Sequence, residues 1–249
     1  MTVLYYDKYI GETLGEFMKR IKNTEELKDT KISFAGRLDP LAYGKMMILT
    51  DEDCKLGNIY NKFDKTYEFS IIFGISSDSL DPLNNNLREH PDKIYNDDNL
   101  EEIVYNNFIY KTYNQEYPVC SSKTVNYNGK MTPLWKVYKA GNINSIKIPS
   151  KYVEIKDFTI LSKNILDASV ITNMMTTDLN YVNDIDNSFG KYEAINFWRN
   201  INHKFSVYRC RVNCSSGTYI RKLVHDIGNI LDINCIAFRI HRKFYEESI

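Results

Sequence analysis

The nine residues Gly36-Arg37-Leu38-Asp39-Pro40-Leu41-Ala42-Tyr43-Gly44 constrain the backbone more tightly than any other stretch of this sequence. Pro40 locks its own φ and pushes the residue before it out of the helical region, so Asp39 sits on a defined extended or turn backbone. Gly36 and Gly44 admit positive φ, or the close approach of another chain segment, on either side of it. The apolar run Met46-Met47-Ile48-Leu49 follows. It suits a short buried strand or the start of a buried helix, and periodicity does not choose between them. A carboxylate on a stiff loop anchored by a buried element is how a nucleophile or base is held. The same residues also suit an aspartate capping a helix that begins at Pro40. Both readings stay open here.

A chain of 249 residues can bury a full core, as one large domain or two modest ones. No hinge-like linker divides it, so we read residues 1–249 as a single domain with an insertion around 162–204. No stretch reaches the roughly 18 uncharged apolar residues needed to span a bilayer. Asp7 and Lys8 interrupt the N-terminus before a signal-peptide core can form. The expectation is an intracellular, cytoplasmic protein with no membrane partner. The cysteines, five of them, are odd in number, and only Cys210 and Cys214 lie close together. His90, His203, His225 and His241 supply no complementary spacing, so no metal site is expected.

The 32 Lys and Arg balance the 32 Asp and Glu, which argues mildly against a nucleic-acid partner, since affinity there comes from neutralising phosphates. The distribution says more than the sum. Residues 75–110 carry eight acidic and two basic side chains, 111–156 eight basic and two acidic, and 199–249 nine basic and four acidic. Such segregation can build a basic groove on a neutral protein, or simply a solvated surface of mixed charge. The 19 tyrosines leave room for base stacking.

Apolar residues at 14, 17, 18 and 21 mark one face of a helix over residues 12–21, with Thr13 as its cap. Residues 51–63 suit another short helix. Residues 65–74 alternate, with Tyr67, Phe69, Ile71 and Phe73 on one side, and form the clearest strand of the first half. Residues 82–98 read as an exposed excursion and 99–108 as a helix with an acidic first turn. Asn128-Gly129 is a strong turn. A helix starts at Leu134 and stops before Gly141, and strands are expected at 143–149 and 152–161. Weak periodicity makes 162–204 irregular, with one helix near 166–175. A ragged strand over 205–213 leads to Cys214-Ser215-Ser216-Gly217-Thr218-Tyr219-Ile220-Arg221. A helix carrying Leu223, Val224 and Ile227 follows, then a final strand at 236–240.

Two of these segments, in this order, resemble the signature motifs of the TruB family of pseudouridine synthases. The Asp39 segment resembles its central motif: glycine, a variable residue, Leu-Asp-Pro, then Leu-Ala-x-Gly. The Cys214 to Arg221 segment resembles its Cys-x-x-Gly-Thr-Tyr-Ile-Arg. Leu4-Tyr5-Tyr6-Asp7-Lys8 with Gly11 is similar to the family's N-terminal strand and turn. Asp64-Lys65-Thr66-Tyr67 is similar to the motif whose tyrosine packs on the target base, and Tyr117-Pro118-Val119-Cys120-Ser121-Ser122-Lys123 to a proline-to-Ser-Ala-Lys element. The resemblance spans residues 3 to 240. Tyr9 stands where the family has a proline, and Phe34 where the bacterial motif has a histidine implicated in positioning the RNA loop. No PUA domain is expected after residue 249, and 162–204 is longer than the usual linker.

The resemblance implies an α+β pseudouridine synthase fold, with a mixed, largely antiparallel central sheet flanked by helices. It implies an isomerase that breaks the N1–C1′ bond of uridine, turns the base and joins C5 to C1′, with no cofactor. Asp39 is then the nucleophile or base at the sugar and Arg221 the guanidinium paired with it. Tyr67 offers its ring to a uracil drawn out of its stack. Lys8, Phe34, Gly36, Arg37, Leu38, Lys123, Tyr219 and Ile220 form the implied substrate-binding set. Lys130, Arg209, Arg211, Arg239, Arg242 and Lys243 are candidates for a backbone-binding face. Each has a plain counterpart: Tyr67 as a core tyrosine on an alternating strand, the cations as ordinary surface charges. The implied partner is RNA, the tRNA T-stem-loop, with uridine 55 in the tRNA convention as target. Phe34 and the expected lack of a PUA domain keep two alternatives in play: an mRNA or rRNA target, and a catalytically weak RNA-binding chaperone. A two-carboxylate hydrolase would need a second acid beside Asp39, which only Asp78 and Asp81 offer. The 162–204 insertion is the expected place for a protein partner or self-association.

Overall fold

The strand expected at 65–74 forms, and it lies in the middle of an eight-stranded sheet. The protein is described by a computed structural model over residues 3–84, 86–90, 95–96 and 98–246. The first elements are β1 (Leu4–Lys8), α1 (Leu14–Lys22), β2 (Ile32–Ala35), β3 (Tyr43–Thr50), α2 (Gly57–Tyr60) and β4 (Asp64–Phe73). The middle of the chain forms β5 (Ile75–Ser76), β6 (Arg88–Glu89), α3 (Leu100–Phe108), β7 (Thr112–Glu116), β8 (Thr124–Tyr127), β9 (Lys130–Pro133) and α4 (Leu134–Lys139). Then come β10 (Ser150–Leu166), α5 (Ala168–Asn180), α6 (Lys191–Asn200), β11 (Phe205–Cys214), α7 (Ile220–Leu231) and β12 (Cys235–Glu246).

The main sheet runs β1-β3-β12-β4-β11-β10-β7, with β2 also paired to β3. Its pairings are antiparallel except β12 beside β3, which is parallel at His241 opposite Tyr43 and Arg242 opposite Gly44. The sheet is thus mixed and largely antiparallel, flanked by helices. Gly44 is required where the parallel strand passes: its φ is +102°, and a Cβ there would lie 2.3 Å from the Arg242 carbonyl oxygen. The Met46–Leu49 run belongs to β3, and Pro40 sits in a turn rather than at the start of a helix. The helix-cap reading of Asp39 is therefore excluded.

β4 is buried on both faces, and its alternation separates two cores. Tyr67, Phe69, Ile71 and Phe73 join Phe17 and Ile21 of α1, Val104 of α3 and Leu223, Val224 and Ile227 of α7. Thr13 caps α1 as expected, accepting from the Glu16 amide at 3.2 Å while Glu16 accepts from the Thr13 amide at 2.8 Å. Ile72 faces the other way, into a core with Ile171, Met175, Leu179, Ala194 and Trp198.

That second core corrects the irregular reading of 162–204. β10 continues to Leu166, and two helices follow in place of one. Ile171, Met175 and Leu179 recur every four residues, and Ala194 and Trp198 do the same, a pattern diluted by polar neighbours on the outer faces. Burying each large apolar side chain contributes about 1.5–3 kcal/mol, so this segment is a structural layer. The strand expected at 143–149 is also absent: Ile143–Ser145 is a short 3-10 turn and β10 begins at Ser150. The excursion at 82–98 lies partly outside the described residues, yet Leu83, Asn84 and Tyr95 within it are buried. The final strand is longer than its apolar run suggested.

Candidate active site

Asp39 sits on a turn held from both sides by buried cations. The Ala42 amide donates to the Asp39 carbonyl at 3.0 Å and the Gly11 amide to the Pro40 carbonyl at 2.9 Å. Lys8 Nζ donates to the carbonyls of Tyr9 (3.2 Å), Pro40 (3.0 Å) and Ala42 (2.7 Å). Arg242 donates to the carbonyls of Gly36 (3.3 Å), Arg37 (3.3 Å) and Lys45 (2.8 Å). The loop is thus held through bonds to its backbone carbonyls and amides, none of which involves the Asp39 side chain.

That side chain is 40% exposed and meets Arg221, which is 3% exposed: Arg221 Nε donates to Asp39 Oδ2 at 2.9 Å. Arg221 lies in the first turn of α7, where the helix dipole disfavours a cation. Carboxylates compensate. Arg221 Nη1 donates to the Ser79 carbonyl and lies 3.4 Å from Asp81 Oδ2. Burial works against its charge, yet Asp39 and Asp81 together hold its pKa above the ordinary arginine value. Burial pushes the Asp81 carboxyl up to about 6, with Arg221 opposing and Asp39 reinforcing that shift. Asp81 lies behind the guanidinium, and Asp39 is the one carboxylate among the residues lining the cleft. A paired-acid hydrolase site is therefore not built here.

The cleft has a volume of about 400 Å³, inside the range of roughly 300–1,000 Å³ usual for small-molecule sites. Gly36, Arg37, Leu38, Asp39, Tyr67, Tyr219, Ile220 and Arg221 line it, all expected from the sequence. Tyr67 stands opposite Arg242 on β12 and Val212 on β11. Burial raises its hydroxyl well above the usual tyrosine value, so it enters neutral chemistry as a ring and a protonated O–H.

Three expected residues are placed elsewhere. Lys8, 1% exposed, is the backbone clamp described above and does not line the cleft; burial lowers its pKa to about 8. Phe34 is partly buried against the main core, with the Arg37 guanidinium 5.7 Å over its ring. Lys123 lies 4.9 Å over the Tyr117 ring, which meets Tyr219 edge-on at 5.5 Å, one layer behind the cleft. The backbone-binding candidates also divide. Arg209 and Arg211 both bond to Glu68, at 2.6 and 2.9 Å, Arg239 bonds to Asp178 at 2.7 Å, and Arg242 is buried. Lys62, Lys65, Lys151, Ser216 and Gly217 line the cleft without having been expected there. Lys65 stood in a motif read only for its tyrosine, and Lys151 in a stretch with no local pattern. Among the described residues no group of three or more His, Cys, Asp or Glu could hold a metal, and no helix is long and apolar enough to cross a membrane.

Replacing Lys8 by Met tests the clamp. Three carbonyls lose their donor in a buried site, so stability should fall by about 2–4 kcal/mol. Urea unfolding reads this, and a midpoint unchanged from wild type would show that the clamp carries no stability.

A lone open carboxylate ion-paired to a buried arginine, in a cleft that a strand tyrosine also lines on a mixed sheet, is the arrangement of the pseudouridine synthases, which are isomerases of RNA. Residues 20–176 match the model of the TruB family pseudouridylate synthase N-terminal domain, and the chain belongs to that family. It is 27% identical over 199 residues to tRNA pseudouridine synthase B of Acholeplasma laidlawii, covering 78% of this chain and 67% of that protein. It is also 27% identical over 242 residues to tRNA pseudouridine synthase B of Blochmanniella pennsylvanica, covering 96% of this chain and 73% of that one. In fold it is similar to a chain of a Cbf5-Nop10-Gar1 complex, with a TM-score of 0.56 and 15% identity, over 98% of this chain. The chain spans about half (48%) of that solved chain's length.

Proposed function

We propose that this chain isomerises uridine to pseudouridine in the T-loop of tRNA. The observation that carries the reading is the Arg221–Asp39 pair at 2.9 Å, open on one side to a cleft walled by Tyr67. Asp39 acts at the sugar, as nucleophile on C1′ or as base beside it, and the N1–C1′ bond breaks with its electrons passing to the uracil. Arg221 Nε fixes the direction of the Asp39 carboxylate. The base turns against the Tyr67 ring and C5 bonds to C1′ as the Asp39–C1′ bond breaks or, on the base route, as the sugar regains its proton; the C5 proton then leaves while N1 gains one. Nothing is oxidised and no group is lost. The target nucleotide must leave its stack to enter, and the cleft volume suits one pyrimidine nucleotide. The tRNA assignment draws on the relatives' names, and it carries with it a cytoplasmic setting and a single catalytic domain over residues 1–249. A protein partner or second copy would meet the α5–α6 loop and the start of α6, where Tyr181, Ile185 and Tyr192 are exposed.

Tritium release from a T-loop transcript carrying 5-tritiated uridine tests this. C5 loses its hydrogen only when the glycosidic bond re-forms there. Release from one position is the expected result. No release from tRNA, with release from mRNA or rRNA fragments, would overturn the tRNA target, and no release from any bound RNA would leave a binding protein.

A further inference from the structure

The cleft carries positive charge that the Asp39 chemistry does not use. Lys65, Lys151 and Arg242 line it, whereas Asp39, its one carboxylate, is already paired to Arg221. Among the described residues none of these three cations is ion-paired with a carboxylate. Two of them are nearly sealed from solvent, Lys65 at 4% exposure and Arg242 at 1%. A buried charge without a counter-charge is costly, and three around one cleft wall call for an anion.

Two glycines keep that wall open. A Cβ on Gly36 would lie 3.3 Å from Arg242 Nη1 and 3.6 Å from Lys65 Cε, and one on Gly217 would lie 2.3 Å from Lys151 Nζ. The donors are unevenly committed. The Arg242 guanidinium is bonded to three carbonyls. Lys65 Nζ donates to the carbonyls of Asn61 and Phe63, and Lys151 Nζ to that of Ser216 alone. An ammonium has three donors, so Lys65 keeps one and Lys151 two. The cations also repel one another: burial lowers Lys65 to about 8 with the Arg242 and Lys151 charges adding to it, and burial and then Lys123 lower Lys151.

We infer that Lys151 and Lys65 form a phosphodiester subsite beside Asp39, which takes a backbone phosphate flanking the target nucleotide while Arg242 supplies fixed positive charge behind it. This rests on the RNA reading proposed above. Lys151 is the contact residue, because it is the least committed and only partly buried. The subsite would set the flipped nucleotide's depth: with one phosphate fixed, the sugar is held against Asp39 while the base remains free to turn.

The test uses the full chain, a T-loop RNA, and two further RNAs in which a methylphosphonate replaces the phosphate on the 5′ or the 3′ side of the target uridine. For wild type, one neutral linkage should raise Kd about tenfold, the scale of one charge-assisted phosphate contact. Lys151→Met should lose a similar factor on unmodified RNA and lose nothing further on that methylphosphonate RNA, with an unchanged melting temperature. Neutral linkages that leave Kd within about twofold, or losses from protein and RNA changes that simply multiply, would overturn the subsite. Tritium release by wild type on unmodified RNA is run in parallel. Release without the binding pattern removes the subsite and keeps the isomerase; the binding pattern without release does the reverse.

Discussion

Asp39→Asn is expected to lower turnover by roughly 10⁴-fold or more, the scale seen when a group that bonds or deprotonates the substrate is removed, while leaving the protein folded. The contrast follows from how the loop is built. The turn is held by the Ala42 and Gly11 amides and by the Lys8 and Arg242 clamps, none of which touches the Asp39 side chain. The amide oxygen of asparagine can still accept from Arg221 Nε, and Arg221 keeps the Ser79 carbonyl and Asp81. Stability should therefore change by no more than about 1 kcal/mol, the net worth of one altered hydrogen bond. RNA affinity should persist, since every cation of the cleft remains. Tritium release, a urea melt and a binding isotherm on the same preparation check the three statements. Turnover within about tenfold of wild type would remove Asp39 from the chemistry.

How much of this was legible in the sequence differs from residue to residue. Tyr67 could be placed because a strand alternates with period two, and its neighbours Phe69, Ile71 and Phe73 declare the buried side. Asp39 could be placed because Pro40 and the flanking glycines limit its backbone. The pairing of Asp39 with Arg221 spans 182 positions, and no local pattern carries that; only the likeness of two motifs to one family did. Lys8, Arg242 and Lys65 mark where residue type misleads. A lysine or arginine read alone is a solvated charge, yet here their partners are main-chain carbonyls, and the sequence does not encode where carbonyls converge. The 162–204 layer was missed for a related reason. Its helices bury narrow stripes, Ile171-Met175-Leu179 and Ala194-Trp198, among polar residues, so average polarity hid a periodic face.

Arg221→Met should abolish turnover as fully as Asp39→Asn but, unlike it, should also damage stability, and in a pH-dependent way. Methionine matches the arginine stem and removes two carboxylates' partner at once. Asp39 is partly open and can turn to water; the Asp81 side chain is only 13% exposed and turns to water far less readily. Breaking a buried pair by removing one member typically costs about 3–5 kcal/mol. The sign with pH follows from Asp81. Burial pushes its carboxyl up to about 6 even with Arg221 present, above the ordinary aspartate value of 3.8, and losing the cation moves it higher still. The folded variant then binds a proton that the unfolded chain has released, so its stability falls as pH rises from about 4 through 6 and beyond. Urea unfolding at pH 5 and pH 8 should show the variant markedly weaker at the higher value. Adding Asp81→Asn removes the unpaired charge, so the double variant should recover about 2 kcal/mol at pH 8 and flatten the pH dependence. It should recover no turnover, because Asp39 still lacks its guanidinium. A double variant that regained activity would show that Arg221 serves the fold alone.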